Sequence, residues 1–174
     1  MQGITEFELQ EPFNSIGSIT TAQTTPAATA RSGAAIEALA NCLRYQVQDG
    51  ICGLELRFRS NADNNDTIVL DILAERKCNQ PAKGYYTRIA TLTLTVGQQT
   101  ANTGYAFIDT VVVSNESFNQ EIEAVSPAGD YIGRLLMNLR GYSKLAIVAT
   151  TLTSEKTVYV DAALCHNSHS FLKA

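Results

Sequence analysis

Metal-binding side chains are concentrated near the C-terminus of the chain, where Cys165, His166 and His169 lie close together in the sequence LCHNSHS. Two imidazoles and a thiol suit a transition metal, and three ligands would make an open site. However, no Asp or Glu lies nearby in the sequence to complete a metal-binding motif on a helix. We therefore favour a tail with incidental histidines, and we predict neither a metal site nor another cofactor.

Carboxylates occur in two pairs with i, i+2 spacing, Glu6 with Glu8 and Glu121 with Glu123. On a strand both members of such a pair point to one face, where they can serve acid–base chemistry or bind Ca²⁺. The better calcium candidate is segment 61–66, NADNND, which is rich in hard oxygen ligands. Because Asn and Asp in turns commonly cap their own backbone, we favour a metal-free turn and solvated acidic pairs.

Motifs of nucleophilic catalysis and phosphate binding are absent from the sequence. It contains no G-x-S-x-G elbow, no G-x-x-x-x-G-K-[ST] loop and no G-x-G-x-x-G loop. No single cysteine is paired with a convincing histidine base. We therefore predict that the protein is not an enzyme and has no catalytic residues.

Aromatic side chains offer one further kind of site, a platform for sugars. The chain has seven Tyr and six Phe but no Trp, and the adjacent Tyr85 and Tyr86 are the best candidate pair. Flat aromatic faces stack on the C–H side of sugar rings. Since consecutive strand residues point in opposite directions, at most one of the two tyrosines can form a platform.

The four cysteines are Cys42, Cys52, Cys78 and Cys165, and no two of them form a C-x-x-C pair. A zinc knuckle or a thioredoxin-like motif is therefore unsupported. The N-terminal sequence MQGITEFELQEPF also lacks the features of a secretion signal. We predict buried free thiols rather than disulfides.

The composition is poor in charge and excludes some classes of partner. Charged residues make up 17% of the chain, whereas soluble domains average about 25%. The formal net charge of -4 argues against nucleic-acid binding, and no run approaches the roughly 18 apolar residues of a membrane span. A weakly charged polar surface suits either a subunit that packs against neighbours or a β-protein with a Thr-rich exterior.

Alternating apolar and polar residues predict about eight or nine strands separated by turn signals. This regular spacing without βαβ alternation predicts an all-β fold, an antiparallel β-sandwich of the jelly-roll-like kind. The predicted strands cover residues 43–48, 51–59, 67–73, 85–96, 104–113, 121–125, 131–140, 144–152 and 158–164.

Some strands carry more specific expectations. The apolar residues of segment 34–48 fit either a helix or a strand, and we favour a strand over 43–48 preceded by a helical turn. We favour the strand because Asp-Gly at 49–50 gives a hairpin-like turn signal, since this pair favours positive φ. Segment 153–156 is a predicted hairpin loop between the last two strands. Strand 144–152 is apolar on both faces, which predicts a central position. In strand 85–96 we place Tyr86 with Ala90 on one face, and Ile89 among the threonines on the other.

The N-terminal part of the chain differs from the rest. Residues 14–33 form a Ser/Thr/Ala-rich stretch without strong periodicity. We predict an extended arm over residues 1–33, which lies on the domain or on a neighbouring subunit if it is ordered, and a sandwich domain over residues 34–174.

The strand sequences resemble those of small β-sandwich virion structural proteins of tailed bacteriophages, of the head-decoration, cement or minor structural type. The resemblance rests on CGLELRFRSNADNNDTIVLDIL at 52–73, ATLTLTV at 90–96 and residues 131–161, above all RLLMNLRGYSKLAIVATTL. It covers roughly residues 43–164. It implies a non-enzymatic virion subunit that packs on a capsid lattice or on neck or tail components, and it carries over no functional residues.

We therefore expect a capsid decoration or cement subunit that binds the major capsid protein or other virion proteins. Such a protein would be a homo-oligomer assembled in the host cytoplasm, with no nucleic-acid or membrane partner. The alternatives are a carbohydrate-binding module for host-surface adsorption and a minor component of the neck, tail or fibre.

Overall fold

A computed structural model describes residues 14–27, 31–47, 51–76, 84–99, 106–115, 122–125, 133–138 and 141–166. These ranges contain ten strands and one short helix, and for the three strands within residues 106–138 only the backbone is described. The elements in chain order are β1 (Asn14–Ile19), α1 (Gly33–Glu37), β2 (Cys42–Gln46), β3 (Ile51–Ser60), β4 (Thr67–Arg76), β5 (Tyr86–Gln99), β6 (Ala106–Asn115), β7 (Ile122–Val125), β8 (Gly133–Asn138), β9 (Tyr142–Thr151) and β10 (Val158–His166).

The strands form two antiparallel sheets that pack as a sandwich, so the predicted all-β fold is confirmed. The first sheet has the order β1-β10-β3-β8-β7, and the second has the order β6-β5-β4-β9-β2. A single backbone pairing between Ser60 and Ala106 joins β3 to β6. Hydrogen bonding therefore continues from one sheet to the other at that edge.

The main core fills the space between the sheets with side chains that alternate along the strands, as the apolar pattern predicts. Burial of each such Leu, Ile or Val contributes about 1.5–3 kcal/mol. The large, fully buried side chains of the main core include Ile19, Leu54, Leu56, Phe58, Ile68, Leu70, Ile72, Leu92, Leu94, Val96, Val158 and Val160.

A second, smaller core lies on the outer face of the second sheet, beneath α1. Its buried members are Ile36, Leu73, Tyr86, Ala146 and Val148. This core explains why β9 is apolar on both faces, since Ala146 and Val148 face the helix while their neighbours face the main core. The strand lies between β4 and β2, so its predicted central position is confirmed.

Helix α1 is short and depends on its surroundings. The Ser32 hydroxyl caps it by accepting a hydrogen bond from Ala35 N at 3.2 Å. The chain before it is fastened to the start of β5, where Tyr86 N donates to Arg31 O at 2.8 Å. The predicted helical turn is thus confirmed. No helix in the described ranges has the length and apolar character needed to span a membrane.

Part of the predicted arm of residues 1–33 lies on the sandwich, which is one of the two positions expected for an ordered arm. Strand β1, within the predicted arm, pairs with β10 and buries Ile19 completely. A bulge between Ser15 and Gly17 places one extra residue in β1, so Ile16 and Ile19 both pack on the main core despite their odd spacing. The bulge hides the strand from a search for alternation. Residues 1–13 lie outside the described ranges.

Two predicted hairpins are wrong. The turn predicted at 48–50 lies outside the described ranges, but the strands on either side of it lie in different sheets, because β2 pairs with β9 whereas β3 pairs with β10 and β8. The strands on either side of 153–156 are likewise separated between the sheets. A turn does form there, with Lys156 N donating to Thr153 O at 3.1 Å, but the chain crosses between the sheets. Local turn signals predict a reversal and not the strand that will pair.

A bulge in β5 overturns one predicted set of faces. The register between β4 and β5 shifts so that Leu73 lies opposite Arg88 while Ile72 lies opposite Ala90. The extra residue, Ile89, turns into the main core, and Tyr86 turns to the outer face under α1. The prediction that Tyr86 shares a face with Ala90, and Ile89 with the threonines, is therefore wrong. The rest of the strand keeps its predicted alternation.

Candidate functional site

Arg44 anchors α1 to the outer face of the second sheet. Its Nη2 atom donates to the carbonyl oxygens of Ile36, Glu37 and Leu39 at 3.1, 2.6 and 2.9 Å. Carbonyls at the end of a helix carry partial negative charge and lack partners within the helix. One guanidinium on β2 therefore supplies the C-terminal cap that the sequence of α1 does not provide.

Three side chains next to α1 form a small polar group beside the second core. The carboxylate of Glu75 is mostly buried; its Oε1 accepts from Gly84 N at 3.1 Å and its Oε2 lies 3.5 Å from Lys144 Nζ. Burial, with the nearby Glu75 carboxylate as the next cause, raises the pKa of Tyr86 to about 12. The hydroxyl of Tyr86 therefore holds its proton more tightly than that of an ordinary tyrosine.

A cleft of about 280 Å³ opens between α1, β2 and β9. Its lining includes polar and charged side chains of both signs, and no Ser, Thr, Cys or His is among them. The lining residues are Glu37, Arg44, Tyr45, Gln46, Tyr86, Lys144 and Leu145. This arrangement offers hydrogen bonds and charge for recognition of a polar partner.

The cleft borders the outer edge of β2, which is the last strand of its sheet in the described part of the chain. Val47 N donates to Ser143 O at 2.9 Å, and Tyr45 lies opposite Leu145 in the same register. In an antiparallel ladder, alternate residues direct their N–H and C=O groups to the same partner strand. The backbone groups of Cys42, Arg44 and Gln46 therefore point away from β9, toward the open edge.

Apolar side chains lie beside this edge on its inner side. Leu43 and Tyr45 of β2 and Ile16 of β1 are half-buried and pack against the main core. The edges of the two sheets approach each other here, since the Leu43 side chain occupies the space in which a Cβ atom on Gly17 of β1 would lie. The β2 edge therefore combines outward backbone groups, half-exposed apolar side chains on one face and Arg44 on the other.

Segment 61–66, the better calcium candidate in the sequence, makes contacts within the protein. Asp66 Oδ2 accepts hydrogen bonds from Asp63 N at 3.2 Å and from Thr153 Oγ1 at 3.0 Å. Asp63 Oδ1 lies 3.1 Å from Lys156 Nζ. The segment thus holds the turn between β9 and β10. Within the described ranges, no three His, Cys, Asp or Glu side chains converge as a metal site.

The other chemical candidates lie largely beyond what is described. Cys165 and His166 are the last residues of β10, and not part of a tail as we predicted, but their side chains are not described. His169 lies outside the described ranges, as do Glu6, Glu8 and Glu121. Glu123 lies on β7, where only the backbone is described.

The two tyrosines of the predicted sugar platform separate as expected. The Tyr85 side chain is 48% exposed, whereas Tyr86 is buried under α1. Among the side chains that the structure describes, Tyr85 is the one large hydrophobic group that is exposed. Within the described side chains, Tyr85 therefore has no exposed aromatic neighbour with which to form a glycan platform.

Cys42 is a free thiol, as predicted, although it is half-buried. Burial raises its pKa, which keeps the thiol protonated and poorly reactive. The side chains of Cys52 and Cys165 are not described, and Cys78 lies outside the described ranges.

Charges on the outer face of the first sheet are also paired. Arg59 binds Asp161 in a bidentate manner, with Nε–Oδ2 and Nη2–Oδ1 distances of 3.0 and 3.1 Å. Its guanidinium lies 5.9 Å from the ring centroid of Tyr159. Arg59 therefore stabilises the first sheet through contacts with its neighbouring strand β10.

Sequence reasoning did not identify Arg44 or the β2 edge as features of interest. No motif marks an edge strand, because its position depends on which strand pairs with which. Comparisons with protein-family models and with curated proteins find no match to this chain.

Proposed function

We propose that this chain is a non-enzymatic virion structural protein, a capsid decoration or cement subunit that binds the major capsid protein and stabilises the particle. The observation that carries the proposal is the order of the strands. It is supported by the low charged fraction of 17% and by the resemblance of the strand sequences to those of phage structural proteins.

The strand order supports a jelly roll. Strands β6 and β7 each lie at the edge of one sheet. Without these two strands, the sheets have the orders β1-β10-β3-β8 and β2-β9-β4-β5. A long antiparallel hairpin with β1 beside β10, β2 beside β9, β3 beside β8 and β4 beside β5 generates these orders when it rolls up. Jelly rolls of this kind are common in viral capsid and lectin domains.

The test is the composition of particles assembled with and without this chain. The proposal expects the chain in purified particles at a fixed ratio to the major capsid protein. Particles that lack it should release their genome at a lower temperature, and adding the purified chain should restore their stability. Absence of the chain from purified particles would overturn the proposal.

The arm can be tested separately, with a boundary set by the fold. A deletion of residues 1–30 would remove β1 and its buried Ile19, so loss of binding would have no clear meaning. Deletion of residues 1–13 leaves every described strand in place. We expect this shorter deletion to give a folded protein that binds particles poorly. Decoration at full occupancy would assign the capsid contacts to the sandwich instead.

Two alternatives remain distinguishable by experiment. A carbohydrate-binding module for host adsorption is less well supported, since Tyr85 is an isolated exposed aromatic among the described side chains. Binding on a glycan array that Tyr85→Ala abolishes would favour it. A neck, tail or fibre position would be recognised by imaging of the labelled chain on particles.

A further inference from the structure

We infer that the outer edge of β2 accepts residues 4–10 of a second copy of this chain as an additional strand. The inference names a partner within the proposed assembly. It rests on the proposed function in one respect, namely that residues 4–10 come from a second copy and not from the same chain. Its physical basis is the match between the β2 edge and the sequence ITEFELQ at residues 4–10.

The backbone of β2 is prepared for such an addition. Cys42, Arg44 and Gln46 direct their N–H and C=O groups away from β9, as the Val47–Ser143 hydrogen bond requires. None of the described residues hydrogen-bonds to these backbone groups. An exposed strand edge of this kind is a template for main-chain pairing with an extended segment.

The side chains of the edge and of the segment alternate in the same way. On β2, Leu43 and Tyr45 face the main core, while Arg44 lies on the outer face beside the cleft. A strand formed by residues 4–10 would place Phe7 and Leu9 on one face and its two glutamates on the other. Phe7 and Leu9 would then extend the core beside Leu43 and Tyr45.

Charge favours the same orientation. With Phe7 and Leu9 inward, Glu6 and Glu8 lie on the outer face of the second sheet, next to Arg44 on the same edge. Glu37 also lines the cleft and Lys144 is paired with Glu75, so Arg44 is the cation that would receive the two glutamates. Arg44 keeps its positive charge while it donates to the carbonyls of α1. The opposite orientation would place two carboxylates against the main core, where desolvation is costly.

The length of the N-terminal segment is sufficient to reach another molecule. Residues 1–13 precede β1 directly, and thirteen extended residues span about 40 Å. Strand β1 lies at the edge of the first sheet, next to β2. A segment that leaves this corner can therefore pair with the β2 edge of a neighbour, and a two-fold arrangement would let each copy give and receive one strand.

The first experiment measures mass in solution without particles. The full chain should be a dimer or a larger closed oligomer, and the variant lacking residues 1–13 should be a monomer with an unchanged circular dichroism spectrum. A monomeric full chain, or a truncated chain that keeps the oligomer, would overturn the inference.

The second experiment uses a synthetic peptide of residues 1–13 and the truncated protein, with binding followed by fluorescence anisotropy. The peptide should bind. N-methylation at Phe7 and at Glu8 blocks backbone donors on opposite edges of the peptide strand, so one of the two should weaken binding about tenfold and the other should not. Failure of the peptide to bind, or an equal effect of the two methyl groups, would refute strand addition.

A third experiment places the change on β2. Gln46→Pro removes an outward N–H and should disrupt the oligomer of the full chain, whereas Gln46→Ala keeps the N–H and should preserve it. The methylated peptides decide the question if the proline variant does not fold.

The two proposals can fail separately. An oligomer that is absent from particles would refute the proposed function and not the strand exchange. A monomer that binds to particles would refute the strand exchange and not the proposed function.

Discussion

The Cδ2 atom of Leu43 lies 2.6 Å from the position that a Cβ atom on Gly17 would occupy. Gly17 also has a φ of +136°, a conformation that residues with side chains rarely adopt. The two residues lie on the edge strands of the two sheets, Gly17 on β1 and Leu43 on β2. Only the absence of a side chain at residue 17 allows the two strands to approach so closely.

Gly17→Ala should therefore lower the free energy of unfolding by about 2 kcal/mol, through both backbone strain and contact with Leu43. The measurement is urea unfolding followed by circular dichroism. Gly141→Ala is a matched control, because Gly141 has a φ of +88° but open space around its Cβ position. An equal loss in the two variants would show that the Leu43 contact is unimportant.

Tyr86→Phe should make the protein less sensitive to alkaline pH. Because folding raises the pKa of Tyr86 to about 12, the folded state holds this proton more tightly than the unfolded state. The resulting stabilisation is complete below pH 10 and is lost as the pH rises toward 12. Over this range the free energy of unfolding of the wild type should fall by about 2 kcal/mol. The free energy of unfolding of the wild type and of Tyr86→Phe, measured from pH 8 to 12, should reveal this difference.

Tyr85→Phe is the control for this pH experiment, because Tyr85 is exposed and precedes Tyr86 directly. It should reproduce the wild-type decline between pH 10 and 12. A decline in Tyr86→Phe as steep as that of the wild type would contradict the assignment to Tyr86.

Arg44→Lys should loosen α1 while leaving the sandwich folded. A lysine ammonium cannot reproduce the contacts of one guanidinium with three carbonyl groups, so we expect a loss of about 1–2 kcal/mol. Amide exchange at Ile36 and Ala38, whose N–H groups donate to Ser32 and Ala34, should become faster. Arg76→Lys, at an exposed position on β4, should leave this exchange unchanged.

Asp66→Ala should destabilise the protein more than Lys156→Ala. Asp66 accepts hydrogen bonds from Asp63 N and Thr153 Oγ1, which join the loop after β3 to the turn after β9, and their loss should cost about 1–2 kcal/mol. The ion pair of Lys156 involves Asp63, whose side chain is 73% exposed, so its loss should cost less than about 0.5 kcal/mol. Thermal unfolding measures both values.

The same variants test whether segment 61–66 binds calcium. With Asp66 engaged in the turn, adding Ca²⁺ should leave the Tm of the wild type unchanged. A rise in Tm with Ca²⁺ that Asp66→Ala abolishes would contradict the structural role assigned to this loop.

The sequence was a good guide to strands and a poor guide to their partners. The alternation of Leu54, Leu56 and Phe58 in β3 predicted correctly which side chains enter the core. Alternation did not predict the burial of Ile16 in β1 or of Ile89 in β5, because a bulge there adds one residue and reverses the faces that follow. A bulge depends on the register of the neighbouring strand, so it leaves no local signal.

Turn residues were subject to the same limit. The sequence around residues 153–156 correctly predicted a reversal of the chain, yet β9 and β10 belong to different sheets. The local conformation of a turn is set by a few dihedral angles, whereas the choice of partner is set by the burial of whole strands.

The sequence by itself determined that this is an all-β protein with low charge and with β9 in a central position, because apolar periodicity follows directly from burial. Only the tertiary structure decided that β1 belongs to the sandwich, that Arg44 caps α1 and that β2 forms an edge. Each of these depends on contacts between residues distant in the chain, such as the approach of Leu43 to Gly17. Such contacts arise from packing two sheets together, and no short sequence segment specifies them.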